Sequence, residues 1–129
     1  MKNSKIENQI ATTILDQAFK IHTELGPGLL ESVYERCLQY ELIEAGYDAQ
    51  IQVPVPMNYK SVRFEAGFRI DLLVNNKVLV EIKSIENLAP VHFSQTLTYL
   101  KMSNLKLGLL INFNNKYLKD GIHRIVNNL

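Results

Sequence analysis

Phe68-Arg69-Ile70-Asp71-Leu72-Leu73-Val74-Asn75-Asn76-Lys77-Val78-Leu79-Val80-Glu81-Ile82-Lys83 reads as two apolar strands flanking Asn75-Asn76-Lys77, a hairpin signal. The run Val78-Leu79-Val80 predicts a central strand buried on both faces. Asp71 interrupts the first strand, and Glu81 and Lys83 interrupt the second. Side chains alternate along a strand, so Glu81 and Lys83 share a face and Ile82 points to the other. Charges at the end of apolar strands are costly unless they pair or bind metal. The first outcome is an ion pair, Glu81–Lys83 or Asp71–Lys83. The second is a divalent-metal site, with carboxylate oxygens holding Mg²⁺ and the lysine orienting water or stabilising developing negative charge.

Register separates these readings. A two-residue turn at Asn75-Asn76 sets Asp71 opposite Val80, and Glu81 then faces away. A three-residue loop, or a β-bulge, sets Asp71 opposite Glu81. The metal reading therefore predicts the longer turn or the bulge.

Outward from the hairpin, Ala49 to Val55 alternates as a strand, and Val62 to Glu65 is expected to continue a strand. Pro27, Pro54, Pro56 and Pro90 are each expected at a boundary. Upstream, Ile6, Ile10, Ile14, Ala18, Ile21 and Leu25 step by three or four, which predicts an amphipathic helix stopped by Gly26-Pro27-Gly28. A second helix is predicted over about Leu29 to Ala45, with Leu30, Val33, Tyr34, Cys37, Leu38 and Ile43 apolar, Gly28 in a cap role and Gly46 at the C-terminal cap. Pro90 opens a third helix to about Met102. Leu107 to Phe113 is a short apolar strand, and Gly121 to Val126 a last one. A crossover helix between two apolar strands points to an α/β sandwich with a mixed sheet flanked by helices.

Composition agrees with a globular chain of one domain, residues 1–129. Of 129 residues, 47% are hydrophobic and 21% charged, an ordinary balance that argues against disorder. Fourteen Lys and Arg against 13 Asp and Glu leave a net charge of +1, so nucleic-acid binding needs a local patch rather than a global basic field. Lys60, Arg63, Arg69 and Lys77, with Lys101 and Lys106 further on, are candidates to track phosphates, or else a solvated charged face. Cys37 is the sole cysteine, which excludes an internal disulfide and a cysteine-cluster zinc site. No stretch of signal-peptide or membrane-spanning character is present, so the expected compartment is cytoplasmic and no membrane partner is expected.

Asp on one hairpin strand followed by Glu-x-Lys on the next resembles the PD-(D/E)XK nuclease superfamily. Gly28-Leu29-Leu30-Glu31-Ser32-Val33-Tyr34 matches the signature of the GxxExxY protein family, a small bacterial branch of it. The likeness runs from about Ile14 to Val126 and takes in Val80-Glu81-Ile82-Lys83, Pro90-Val91-His92, Gln95 to Leu100 and Leu107-Gly108-Leu109-Leu110-Ile111-Asn112-Phe113. The segment His92-Phe93-Ser94-Gln95 departs from the family, which often carries an acid where Phe93 stands.

The resemblance implies a restriction-endonuclease-like α/β core and Mg²⁺- or Mn²⁺-dependent phosphodiester cleavage. Asp71 and Glu81 would be metal ligands, Ile82 would add its backbone carbonyl, and Lys83 would be the catalytic lysine. Glu31 would be a further ligand or a supporting carboxylate. Gln95-Thr96-Leu97-Thr98-Tyr99 resembles the Q-x-x-x-Y motif of RecB-like nucleases, whose members orient the active site and contact DNA. The implied partner is nucleic acid, DNA first. A domain of this size has little surface left for specificity, so a homodimer or a protein partner is expected besides.

Each of these residues also has a plainer role. Glu31 suits the start of a helix through the helix dipole. Tyr34 and Tyr99 suit a core as aromatics with hydrogen-bonded hydroxyls. Gln95 suits a polar network. His22, His92 and His123 lie in separate segments without metal-ligand spacing and read as structural or surface groups. Two functional readings compete with the nuclease: a non-catalytic nucleic-acid-binding or protein-interaction module on the same fold, and a metal-dependent hydrolase of other phosphate esters.

Overall fold

A computed structural model describes residues 2–129, with side chains from Ile6 onward. Helix α1 spans Lys2–Leu25 and α2 spans Glu31–Glu44. Strands β1 (Ala49–Tyr59), β2 (Val62–Val74) and β3 (Val78–Lys83) follow. Helix α3 (Pro90–Ser103) leads into β4 (Leu107–Asn112), and a 3₁₀ turn at Leu118–Gly121 precedes β5 (Ile122–Val126). The five strands lie in the order β1-β2-β3-β4-β5. Only β3 and β4 are parallel, joined by α3 as the crossover; the other neighbours are antiparallel. This is the mixed sheet flanked by helices that the pattern predicts.

Alternation divides β3 between two apolar layers. Val78, Val80 and Ile82 face α1 and α2, where Ile10, Ile14, Ala18, Tyr34, Leu38 and Leu42 complete the larger core. Leu79 faces α3 and meets Leu73, Ile70 and Leu100. All but one residue of β3 and every residue of β4 are buried, as expected for strands covered on both faces.

The helical face of α2 is narrower than its apolar letters imply. Leu30, Val33 and Ile43 are exposed, while Leu42 is fully buried. The helix begins at Glu31 with Leu30 in the N-cap position and no capping side chain, so Gly28 does not cap it. At the other end Gly46 adopts φ +91°. Its N–H donates to Ile43 O, and Tyr47 N–H donates to Leu42 O at 2.9 Å, which is a Schellman closure.

Two prolines do not mark boundaries. Pro54 and Pro56 lie inside β1, which has a neighbour on one side only, so a missing N–H can face away from the ladder. The register shifts between Val55 and Met57, next to Pro56. Val62 to Glu65 continues into the hairpin strand as the start of β2. No described helix is long and apolar enough to cross a membrane.

Candidate active site

The β2–β3 connection decides the site. Leu72 pairs with Val80, Leu73 with Leu79 and Val74 with Val78. Asn75-Asn76-Lys77 is therefore a three-residue loop, with both asparagines at left-handed φ of 51° and 53°. Asparagine tolerates that region better than most side chains. The register carries Asp71 opposite Glu81, the alignment the metal reading requires.

The ladder ends there, and the two acids take over its donors. Asp71 N–H donates to Glu81 Oε2 at 3.1 Å, and Ile82 N–H donates to Asp71 Oδ2 at 2.9 Å. Two carboxylates are thus held against one another at the carboxyl end of β3, beside the carboxyl end of its parallel neighbour β4. In open α/β sheets this is where ligand crevices form.

Electrostatics follow from that placement. Glu81 is 4% exposed. Burial, then the Asp71 charge, pushes its carboxyl up to about 8, against the opposing pull of the Asp71 N–H and Lys83. Asp71 is also raised, by burial first, with the Ile82 N–H and Lys83 pulling it down. Lys83 favours both carboxylates in their charged form. Even so, among the described residues no Lys83 ion pair lies within 4 Å, since the ion pairs are Lys20–Glu41 and Arg63–Glu65. The simple ion pair is not formed.

Helix α2 adds two more acids, one turn apart. Glu31 is exposed, and its Oε2 accepts from Ser84 N–H at 3.0 Å, tying the start of α2 to the residue after Lys83. Its charge also reaches Asp71. Glu35 is buried and raised, by burial first, then held down by Gln52 and raised by Asp71. Gln52 Nε2 donates to Glu35 Oε1 at 2.7 Å and to Asp71 Oδ1 at 3.4 Å. Sequence reasoning missed both. Glu35 was findable as the residue four beyond Glu31 on one helical face. Gln52 had no signal, because a polar residue in an alternating strand reads as a solvent-facing position.

Helix α3 brings Tyr99 to the carboxylates and leaves Gln95 in solvent. The Tyr99 ring stacks on Phe68 with centroids 4.2 Å apart. Its hydroxyl is raised by burial, then by the charges of Glu81 and Asp71. Gln95 is exposed one turn earlier and, among the described residues, hydrogen bonds to none of these groups.

The remaining candidates have structural partners. Tyr34 stacks on Phe113, accepts from Leu29 N–H and donates to Gly26 O. His22 Nε2 donates to Asn115 O, His92 Nδ1 accepts from Ala89 N–H, and His123 meets the Phe93 ring edge-on. Of the basic candidates, Lys60 lies at the tip of the β1–β2 hairpin, over the Tyr59 ring. Arg63 is paired with Glu65. Lys77 and Lys106 lie at the end of the β3–β4 pair away from Lys83 and Asn112.

The donor chemistry fits a hard divalent cation. Among the described residues Asp71 Oδ1 holds only the long contact to Gln52, and the two raised carboxylates side by side lack a counter-charge in contact. No three His, Cys, Asp or Glu side chains among the described residues are grouped so as to hold a metal ion together. Mg²⁺ does not need one, because it keeps several waters and binds through one or two carboxylates plus substrate phosphate.

Comparison with known proteins agrees with this geometry. The family model described as the PD-(D/E)XK nuclease superfamily matches residues 8–125. No curated protein and no solved structure matches the chain. The five-stranded mixed sheet with its three helices is consistent with the restriction-endonuclease-like fold. With an aspartate on one hairpin strand, Glu-x-Lys on the next and a family match over nearly its whole length, the chain belongs to the PD-(D/E)XK nuclease superfamily.

Proposed function

We propose that this protein is a divalent-metal-dependent nuclease that hydrolyses phosphodiester bonds of nucleic acid, DNA by first preference, and that it represents the GxxExxY branch of its superfamily. Nucleases of this superfamily generally use divalent metal ions and act on nucleic acid. The observation that carries the reading is the pair of raised carboxyls, half-buried Asp71 on β2 and buried Glu81 on β3, held against one another with Lys83 two residues beyond Glu81.

Asp71, Glu81 and the Ile82 carbonyl would hold Mg²⁺ or Mn²⁺, with Glu31 as the supporting carboxylate beside them. When bound, the ion supplies Lewis acidity toward the phosphodiester and charge to offset the carboxylates. Lys83 positions the attacking water or stabilises negative charge developing on the phosphoryl oxygens. Tyr99, with Gln95 before it on α3, contacts nucleic acid and orients the site. A second copy or a protein partner would add the surface that so small a chain lacks for specificity. The lone thiol, Cys37, accords with a reducing, cytoplasmic setting.

The test is cleavage of labelled single- and double-stranded DNA and RNA, with small phosphodiesters alongside, in Mg²⁺ or Mn²⁺. Wild type runs beside Asp71→Ala and Lys83→Ala, with EDTA as control. The expected result is a loss of at least about 100-fold in each variant and complete loss with EDTA. No cleavage by wild type, together with calorimetry showing no metal binding, would overturn the catalytic assignment and favour a binding module.

A further inference from the structure

We infer that Gln52 is a positioning residue for the acidic site, holding the Asp71 carboxylate in place by bridging it to Glu35 on α2. The inference rests on the metal-site reading above and names a member of that site for which the sequence carries no motif.

The backbone supplies the first observation. Gln52 has φ +51° within β1. That region disfavours side chains with a Cβ, and glycine would enter it freely. The conformation has a local consequence. Ile51 packs on the core shared with α1 and α2, whereas Val53, two residues on, packs under α3. In a regular strand residues two apart share a face, so the turn of the backbone at Gln52 moves β1 from one layer to the other. Glycine would serve that purpose at less strain, and Gln52 is exposed, so packing does not require a glutamine there.

The side chain supplies the second observation. A single amide nitrogen, with two hydrogens, faces two carboxylates: Glu35 at 2.7 Å and Asp71 at 3.4 Å. On its other side Asp71 is held by the Ile82 N–H. The carboxylate is thus gripped between β3 and a donor whose position depends on the left-handed backbone of β1. Glu35 is buried and has no ion pair among the described residues. Its short bond to Gln52 anchors the amide, and the longer bond to Asp71 leaves that carboxylate able to turn toward a cation. Groups in this relation to a metal ligand fix its orientation, and their loss costs about 10- to 100-fold in metal affinity.

Gln52→Gly separates the backbone role from the amide role, because glycine keeps the left-handed turn and deletes the bridge. The first readout is Mn²⁺ binding to the full chain by calorimetry, with circular dichroism to check the fold. The expected result is a folded variant that binds Mn²⁺ about 10- to 100-fold more weakly than wild type. Gln52→Asn, which keeps an amide but is one methylene short, should fail to restore affinity. Wild-type affinity in Gln52→Gly would overturn the inference.

The second readout needs no metal. The Gln52 side-chain amide resonances in metal-free wild type should shift in both Glu35→Gln and Asp71→Asn. Resonances unmoved by either substitution would overturn the bridge. Should wild type bind no Mn²⁺ while the amide still responds to both, the nuclease reading falls and the bridge stands.

Discussion

Replacing Glu81 with glutamine should stabilise the metal-free protein relative to wild type by an amount that grows between about pH 4.5 and 8 and then levels off. Glu81 is buried beside Asp71, and its carboxyl rises from 4.5 to about 8, by burial first and the Asp71 charge second. At about 1.4 kcal/mol per pH unit, that interval corresponds to about 5 kcal/mol of preference for the protonated form. The folded state holds a proton that the unfolded chain has released, so unfolding free energy falls as pH rises through this window. The contribution is fully present below pH 4.5, is lost progressively toward pH 8 and is gone above it. Between about pH 5.5 and 8, wild type should lose about 3 kcal/mol from this group. The introduced amide would still accept from Asp71 N–H through its oxygen, so hydrogen bonding is preserved while titration is removed. The assay is urea denaturation of both proteins in EDTA across that range, read as the difference between them. Raised Glu35 gives both proteins a slope in the same direction, and because Asp71 and Glu81 raise one another, the difference between the curves reports the loss of their joint titration. Parallel pH curves for wild type and variant would refute the reasoning. Restoring Mg²⁺ should stabilise wild type more at pH 8 than at pH 5.5, because protons compete with the cation at the lower pH.

Two further outcomes concern the frame that holds the site. Tyr34→Phe keeps the stack on Phe113 but removes the hydroxyl joining Leu29 N–H to Gly26 O, so it should cost about 1–2 kcal/mol in urea and loosen the turn that delivers Glu31. Unchanged stability would show that the turn holds without the clamp. Asn112 is 1% exposed. Its side chain accepts from Ile85 and Asn114 N–H and donates to Ile85 O, fastening the segment after Lys83 to the end of β4. Asn112→Ala should therefore cost about 3 kcal/mol and speed hydrogen exchange at Ile85; wild-type exchange there would count against this role.

Most of the architecture was legible because periodicity is a local property. The step of three or four from Ile10 to Ile21 writes a helix, and Val78-Leu79-Val80 writes a doubly covered strand, before any partner is known. The Asp71 and Glu81-x-Lys83 pattern exposed the candidate site because charges are costly among apolar strand residues. What escaped was set by neighbours distant in sequence. Pro54 and Pro56 signal a break, yet they sit in a strand because β1 is an edge, a property of the assembled sheet. Val33 and Ile43 look like core letters, yet α2 turns them outward and buries Leu42 instead. Lys77 and Lys106 approach the site along the chain, yet the strands carry them to the opposite end of the β3–β4 pair.

The sequence by itself thus determined the elements, the mixed α/β class and the residue types of the site, since each depends on spacing within a few positions. Tertiary structure alone decided that the hairpin loop takes three residues, so that Asp71 meets Glu81 instead of Val80. It also decided that Glu35 and Gln52 join them. Those contacts join residues 10 to 19 positions apart, and their formation depends on how α2 and β1 pack against β2. No local pattern encodes that packing, and it is what turns a row of isolated charges into one coupled acidic site.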